Sequence, residues 1–194
     1  MFEVDAPSQQ RERLHDIHAN HKAKEARKQF IGYAVTITDC GTDGDVVFHI
    51  AEGAAVLSHS IKMAHDSSSY GFEMYAIYHP QAEPCAHLLE SLNYTLVQRD
   101  TPVEVKNIKG DFLRERIEKN GCCGEKELIK LEAFTLTQHE VVVLLDLDTL
   151  VLQPLDRLFD YLTHGKQLPN DDLQWPERKD MPQWKDVSLL YTID

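Results

Sequence analysis

The chain has 194 residues, 42% hydrophobic and 27% charged, with a formal net charge of −12. That is room for one globular domain with its own core. The acidic balance argues against non-specific nucleic-acid binding, and no apolar run approaches the ~20 residues of a membrane span.

The first 29 residues are polar, rich in Arg, Lys, Gln and His, and read as a solvated helix or tail. They lack the apolar stretch of a signal peptide, so the sequence as written reads as cytoplasmic; a Golgi or secretory setting would need an N-terminal anchor beyond it. His15, His18 and His21 recur every three residues. With so little core-forming sequence nearby, they read as a solvated face rather than a metal site.

Order is expected from Phe30. Residues 33–38 (YAVTIT) are β-rich and predict a first strand, followed by a Gly-containing loop over 39–45. Ala54, Leu57, Ile61 and Ala64 have helical spacing and predict a helix over 53–65. Residues 72–78 predict a second strand, and 84–92 a helix with Pro84 in its first turn. Short strands are expected over 94–98 and 103–105. Residues 125–138 predict a helix with a broad apolar surface and Lys130 in its narrow polar gap. A strand follows from Val141, then a helix over 154–162 begun by Pro154, then a polar loop over 163–186. Alternating strands and helices predict an α/β sheet with a ligand-binding edge.

The four cysteines, Cys40, Cys85, Cys122 and Cys123, form no CxxC pair and no metal-ligand spacing. Neighbouring cysteines such as Cys122 and Cys123 rarely bridge each other, which leaves the redox compartment open.

The most chemically pointed stretch is 141–156, VVVLLDLDTLVLQPLD. It reads as a buried parallel strand that runs into Asp146 and Asp148. Ligands of open α/β sheets bind beyond the carboxyl ends of strands, and carboxylates set there against an apolar sheet call for a compensating cation. A divalent metal carrying an anionic substrate suits that demand. Asp43 and Asp45 share the spacing but sit in a Gly-rich loop, where Asp commonly serves turn chemistry. A purely structural account of Asp146 and Asp148 has one cap a turn and the other pair with a Lys or Arg. A phosphatase of the haloacid dehalogenase type also uses an apolar strand and Asp-x-Asp. It wants Thr or Val where Leu150 stands, and essential groups far downstream, whereas 46 residues follow Asp148.

Residues 127–138 (ELIKLEAFTLTQ) and 141–159 together resemble glycosyltransferase family 8, the group containing glycogenin and galactinol synthase. Lys130 stands sixteen residues before Asp146, as in that family's helix and Asp-x-Asp, and DTLVL followed by LDRLF extends the likeness. A weaker block joins residues 33–38 to 55–62. The resemblance covers about Tyr33 to Phe159. It implies a GT-A-type nucleotide-diphospho-sugar transferase fold, a Rossmann-like mixed sheet flanked by helices. It also implies a UDP-linked sugar donor, Mn²⁺ or another divalent cation, and hexosyl transfer with retention.

On that resemblance Asp146 and Asp148 are expected to bind metal, with Leu147 between them at the donor site. Thr36, Ile37 and Thr38 would line the nucleotide end and Lys130 would contact the donor. Thr36 and Ile37 also read as plain strand residues, and Lys130 as a solvated helix lysine. No catalytic base is assigned. The acceptor could be a carbohydrate, a polyol or a protein. The loop after the first strand departs from the family, with Asp39 and Cys40. The expected organisation is a polar segment 1–29 and a family 8-like domain 30–194. The chain stops before the family's acceptor-side strand and its later His, Gly and Lys. A donor-binding half with little transferase activity of its own is therefore expected. The alternative from a different class is a degenerate nucleotide-sugar-fold protein, or a truncated gene product, without activity, that at most binds nucleotide.

Overall fold

A computed structural model describes residues 29–41, 44–119 and 123–164. His15, His18, His21, Asp43 and residues 165–186 lie outside them. Four parallel strands form one sheet in the order β3-β2-β1-β4. They are β1 (Phe30–Ile37), β2 (Gly71–Tyr78), β3 (Tyr94–Gln98) and β4 (Val142–Leu144). The helices are α1 (Gly44–His65), α2 (Glu83–Ala86), α3 (Asp111–Arg116) and α4 (Asp156–His164), with a 3-10 helix at Gly124–Thr135. The observed class is α/β with an all-parallel sheet.

The period-2 pleat of β1 explains the layers. Ile31, Tyr33, Val35 and Ile37 point to one face, where they meet Ala54, Leu57 and Ile61 of α1 and Phe159 of α4. Ala34 points to the other face and joins Tyr75 and Ile77 of β2 against Ile129, Ala133 and Leu136. A parallel strand covered on both faces needs apolar residues at successive positions, and β1 has them. Each large side chain fully buried this way contributes roughly 1.5–3 kcal/mol.

Several boundaries differ from expectation. β1 starts at Phe30 rather than Tyr33, and α1 starts at Gly44 rather than Gly53. Val47 and Ile50 pack on the core, which draws the earlier residues into the helix despite Gly53. The helix expected over 84–92 is a chain of short turns (Pro80–Ala82, α2, His87–Leu92) stopped by Asn93 in the left-handed region at φ 64°. Residues 103–105 form no strand; a 3-10 turn occupies Val105–Asn107, just after Pro102, and no strand pairs with this segment.

The helix expected over 125–138 is hydrogen-bonded as a 3-10 helix and ends at Thr135. β4 is three residues long, half-buried, and paired in the described sheet with β1 alone. The expected fully buried strand is thus an edge strand here. α4 begins two residues after Pro154, at Asp156.

Candidate functional site

The strand order places a topological switch point between β1 and β4. From β1 the chain moves outward through β2 to β3, then returns to lay β4 on the other side of β1. Connections that leave neighbouring strands toward opposite sides open a crevice at their carboxyl ends. Residues 38–41 follow β1 there, and Asp146 to Asp148 follow β4.

Leu145 N–H still donates to the Ala34 carbonyl at 2.9 Å, so the β4 loop leaves the sheet only after Leu145. Leu147 packs against the core, while Asp146 and Asp148 are exposed. The apolar residue inside the Asp-x-Asp is thus an anchor that leaves both carboxylates facing solvent. Gly53 of α1 permits the close approach: a Cβ there would lie 2.9 Å from the Leu147 carbonyl oxygen. Thr149 N–H donates to the Asp146 carbonyl at 3.1 Å, and Val151 N–H donates to Ser60 Oγ at 3.1 Å. The loop is held at both ends and folded over one face of α1.

The carboxylates are not buried, contrary to the desolvation argument made from the sequence. The Asp146 side chain is 65% exposed and pairs with Lys130 at 3.0 Å. Lys130 also pairs with Glu127 at 3.1 Å. Partial burial pulls the lysine pKa down, but its hydrogen bonds to Asp146 and Glu127 outweigh that and the net shift is upward.

Lys126, not singled out by the sequence reading, does the same for the β1 loop. Its Nζ lies 3.2 Å from Asp39 Oδ2 and donates also to Gln81 Oε1. Asp39 Oδ1 accepts from Gly41 N–H at 2.7 Å, in a turn that needs glycine because φ at Gly41 is 67°. The Gly41 N–H, and then the Lys126 ammonium, hold the Asp39 carboxyl below its usual range.

The 3-10 geometry explains how two lysines four positions apart reach different loops. At 3.0 residues per turn they diverge by ~120° around the helix, where an α-helix would keep them on one face. Two cations from one helix therefore stand over the two loops of the crevice.

The other expected site residues divide. Thr36 and Thr38 are half-buried near the end of β1. Ile37 is 3% exposed in the core, and its carbonyl accepts from His79 N–H at 2.9 Å, so its side chain does not line the crevice. Leu155 and Phe159 of the LDRLF block are packing residues, and Asp156 accepts from Ser68 Oγ and from Ser69 N–H at the far end of the sheet.

Two cysteines for which the sequence spacing suggested no partner are joined: Cys40, in the β1 loop, bridges Cys85, in α2, with Cα atoms 5.6 Å apart. Because β1 and β2 are parallel neighbours, the segments that leave their carboxyl ends lie side by side. That adjacency was the available signal.

Among the described residues, no group of three or more His, Cys, Asp and Glu side chains is placed to hold a metal ion. The donor set fits a divalent ion that arrives with phosphate oxygens and completes its shell with them and water, not a closed protein cage. Asp45 belongs to α1 rather than to a loop. No helix among the described residues is long and apolar enough to cross a membrane. The chain matches no family model, and a search of curated proteins finds no match.

Proposed function

We propose that this chain binds a nucleotide-diphospho-sugar, UDP-linked by the resemblance, as the donor-binding part of a GT-A-type, family 8-like hexosyltransferase acting with retention. The observation that carries the reading is the meeting, at one switch point, of two solvent-facing carboxylates and two lysines. A diphosphate demands that combination: lysines for its oxygens, and carboxylates for the divalent ion that travels with it.

In this reading Asp146 and Asp148 hold Mn²⁺ or another divalent cation against the diphosphate. The ion, when bound, neutralises the negative charge that develops on the leaving diphosphate. Lys130 exchanges its Asp146 contact for a phosphate oxygen, and Lys126 stands nearer the β1 loop, at the nucleoside end with Thr36 and Thr38. Leu147 keeps the two carboxylates at fixed positions through its anchor in the core. No side chain is assigned as a base, and the acceptor is a carbohydrate, polyol or protein.

The test is calorimetric titration of UDP and of ADP into the chain with and without Mn²⁺. Metal-dependent binding with preference for UDP is expected. Binding without metal would favour a degenerate nucleotide-binding protein of the same fold. Hydrolysis of a phosphate ester that disappears in Asp146→Asn would favour the phosphatase chemistry instead.

A further inference from the structure

The loop that closes the crevice on the β1 side is short, polar and partly exposed, yet it is tied down at two successive residues. Asp39 is held by Lys126 and by the Gly41 turn. Cys40 is bonded to Cys85, whose side chain is fully buried beneath Ala82 and Ala86 in the α1-side core. Cys85 N–H also donates to Cys40 Sγ at 3.1 Å. The ion pair is exposed enough to be screened by salt, so it is the weaker of the two ties. The disulfide joins residues 45 apart in sequence, so it fixes a contact that chain connectivity alone would leave loose.

We infer that Cys40 and Cys85 are positioning residues: their disulfide locks the β1 loop in the shape that receives the nucleotide end of the ligand, and ligand affinity is therefore redox-dependent. The occupant of the crevice rests on the function proposed above; the lock itself does not. Reduction follows ordinary exchange. A dithiol reductant gives two electrons and two protons, the Cys40–Cys85 bond becomes two thiols, and the reductant leaves as its own disulfide. The loop then keeps only the Lys126 contact and the Gly41 turn. A bond of this kind belongs to an oxidising compartment, which runs against the cytoplasmic setting read from the sequence alone.

The test uses the intact chain expressed under oxidising conditions, with three readouts. Alkylation of the native protein, mapped by mass spectrometry, should label Cys40 and Cys85 only after dithiothreitol. Hydrogen exchange at residues 38–41 should rise about tenfold or more on reduction, as expected for local opening, with the β1 amides at 31–37 unchanged. Cys123 is also disulfide-bonded, so dithiothreitol acts at more than one place. A Cys40→Ala, Cys85→Ala double variant isolates this bond: it should show the faster exchange without reductant, and reductant should change it no further. If that variant does not fold, a Cys122→Ala, Cys123→Ala chain, which keeps only Cys40 and Cys85, supplies the comparison when oxidised and reduced forms are measured.

UDP with Mn²⁺ should bind the oxidised chain about tenfold more tightly than either the reduced chain or the double variant, the size of effect that pre-organising a binding loop gives. Labelling of Cys40 or Cys85 without reductant, or equal exchange at 38–41 in both redox states, would overturn the lock. Equal UDP affinity in both states, with the loop loosened, would overturn its role in the site. Absence of UDP binding in every form would sink the proposed function instead, leaving the lock to be judged by exchange.

Discussion

The two ends of the one sheet handle polar groups in opposite ways. At the amino ends of the strands two histidines are buried in tyrosine pairs, one on each face. His65 meets Tyr33 at 3.0 Å and the Tyr70 carbonyl at 3.1 Å. His139 meets Tyr75 at 2.8 Å and the Phe30 carbonyl at 3.1 Å. In both, Nδ1 faces a carbonyl oxygen, which can only accept, so Nδ1 carries a proton; the Tyr75 hydroxyl donates its own proton to Glu73 Oε2 at 2.6 Å. These histidines fasten helix and loop to sheet. At the carboxyl ends Asp39, Asp146 and Asp148 face solvent, and two of them are met by lysines of the 3-10 helix.

Surface hollows also lie away from the proposed site. Open hollows of about 540 and 580 Å³ lie at the amino-end rim, lined by residues such as Phe30, Glu73 and His139, or Lys62, His65 and Tyr70. Their histidines already have protein partners. The contrast is between hollows whose histidines are already engaged by protein groups and a rim where charged groups face solvent.

That contrast breaks if a change at the amino end alters ligand binding, or a change at the carboxyl end mainly alters stability. The largest stability effect is expected for His65→Leu. It leaves the Tyr33 hydroxyl and the Tyr70 carbonyl buried without this partner, costing about 2–3 kcal/mol. Urea unfolding should show the loss, while UDP affinity measured well below the transition stays within about twofold, since additive effects fade between distant sites.

Gly53→Ala should do the reverse. Its Cβ would press on the Leu147 carbonyl and displace the Asp-x-Asp loop, while alanine gains about 1 kcal/mol of helix propensity. The expected result is a melting temperature within a few degrees of wild type and a clear fall in metal-dependent nucleotide binding.

Lys130→Gln should cost well under 1 kcal/mol of stability, because the pair with Asp146 is largely solvent-screened, yet weaken diphosphate binding severalfold. The sign of its pH dependence follows from the raised pKa. The stabilisation is fully present below the lysine's unfolded value and is lost only as pH rises through the higher folded value, so it is constant from pH 5 to 9. Asp39 gives the smallest effect and the opposite sign. Its depressed pKa makes its contribution present above about pH 3.9, the unfolded value, and lost as pH falls through the folded one. Carboxyl-carbon NMR titration should place Asp39 below that reference, and Lys126→Met should move it back up only in part, because the Gly41 N–H is the stronger influence.

Much of the sheet was readable in advance because β1 and β2 are long, apolar and covered on both faces, so pattern and environment agree. The same logic failed where tertiary contact decides. Val47 and Ile50 extend α1 past a glycine, and Val103 to Val105 have β character but no neighbouring strand to pair with. At the candidate site, Asp146, Asp148 and Lys130 were legible from spacing, and Lys130 meets Asp146 at 3.0 Å. Their exposure was not, because the sequence does not show that Leu147 alone turns inward. Lys126 was missed because its reach depends on the tighter 3-10 winding. The Cys40–Cys85 bond needed the adjacency of two loops.

The central claim is that the carboxylates after β4, and not the acidic groups at the other rim, receive a metal-bound diphosphate. The most direct measurement is titration of UDP with and without Mn²⁺ into wild type, Asp148→Ala and Glu73→Gln. The account predicts Mn²⁺-dependent binding, abolished in Asp148→Ala and retained in Glu73→Gln. Metal-independent binding, no binding to wild type, or equal losses in the two variants would contradict it.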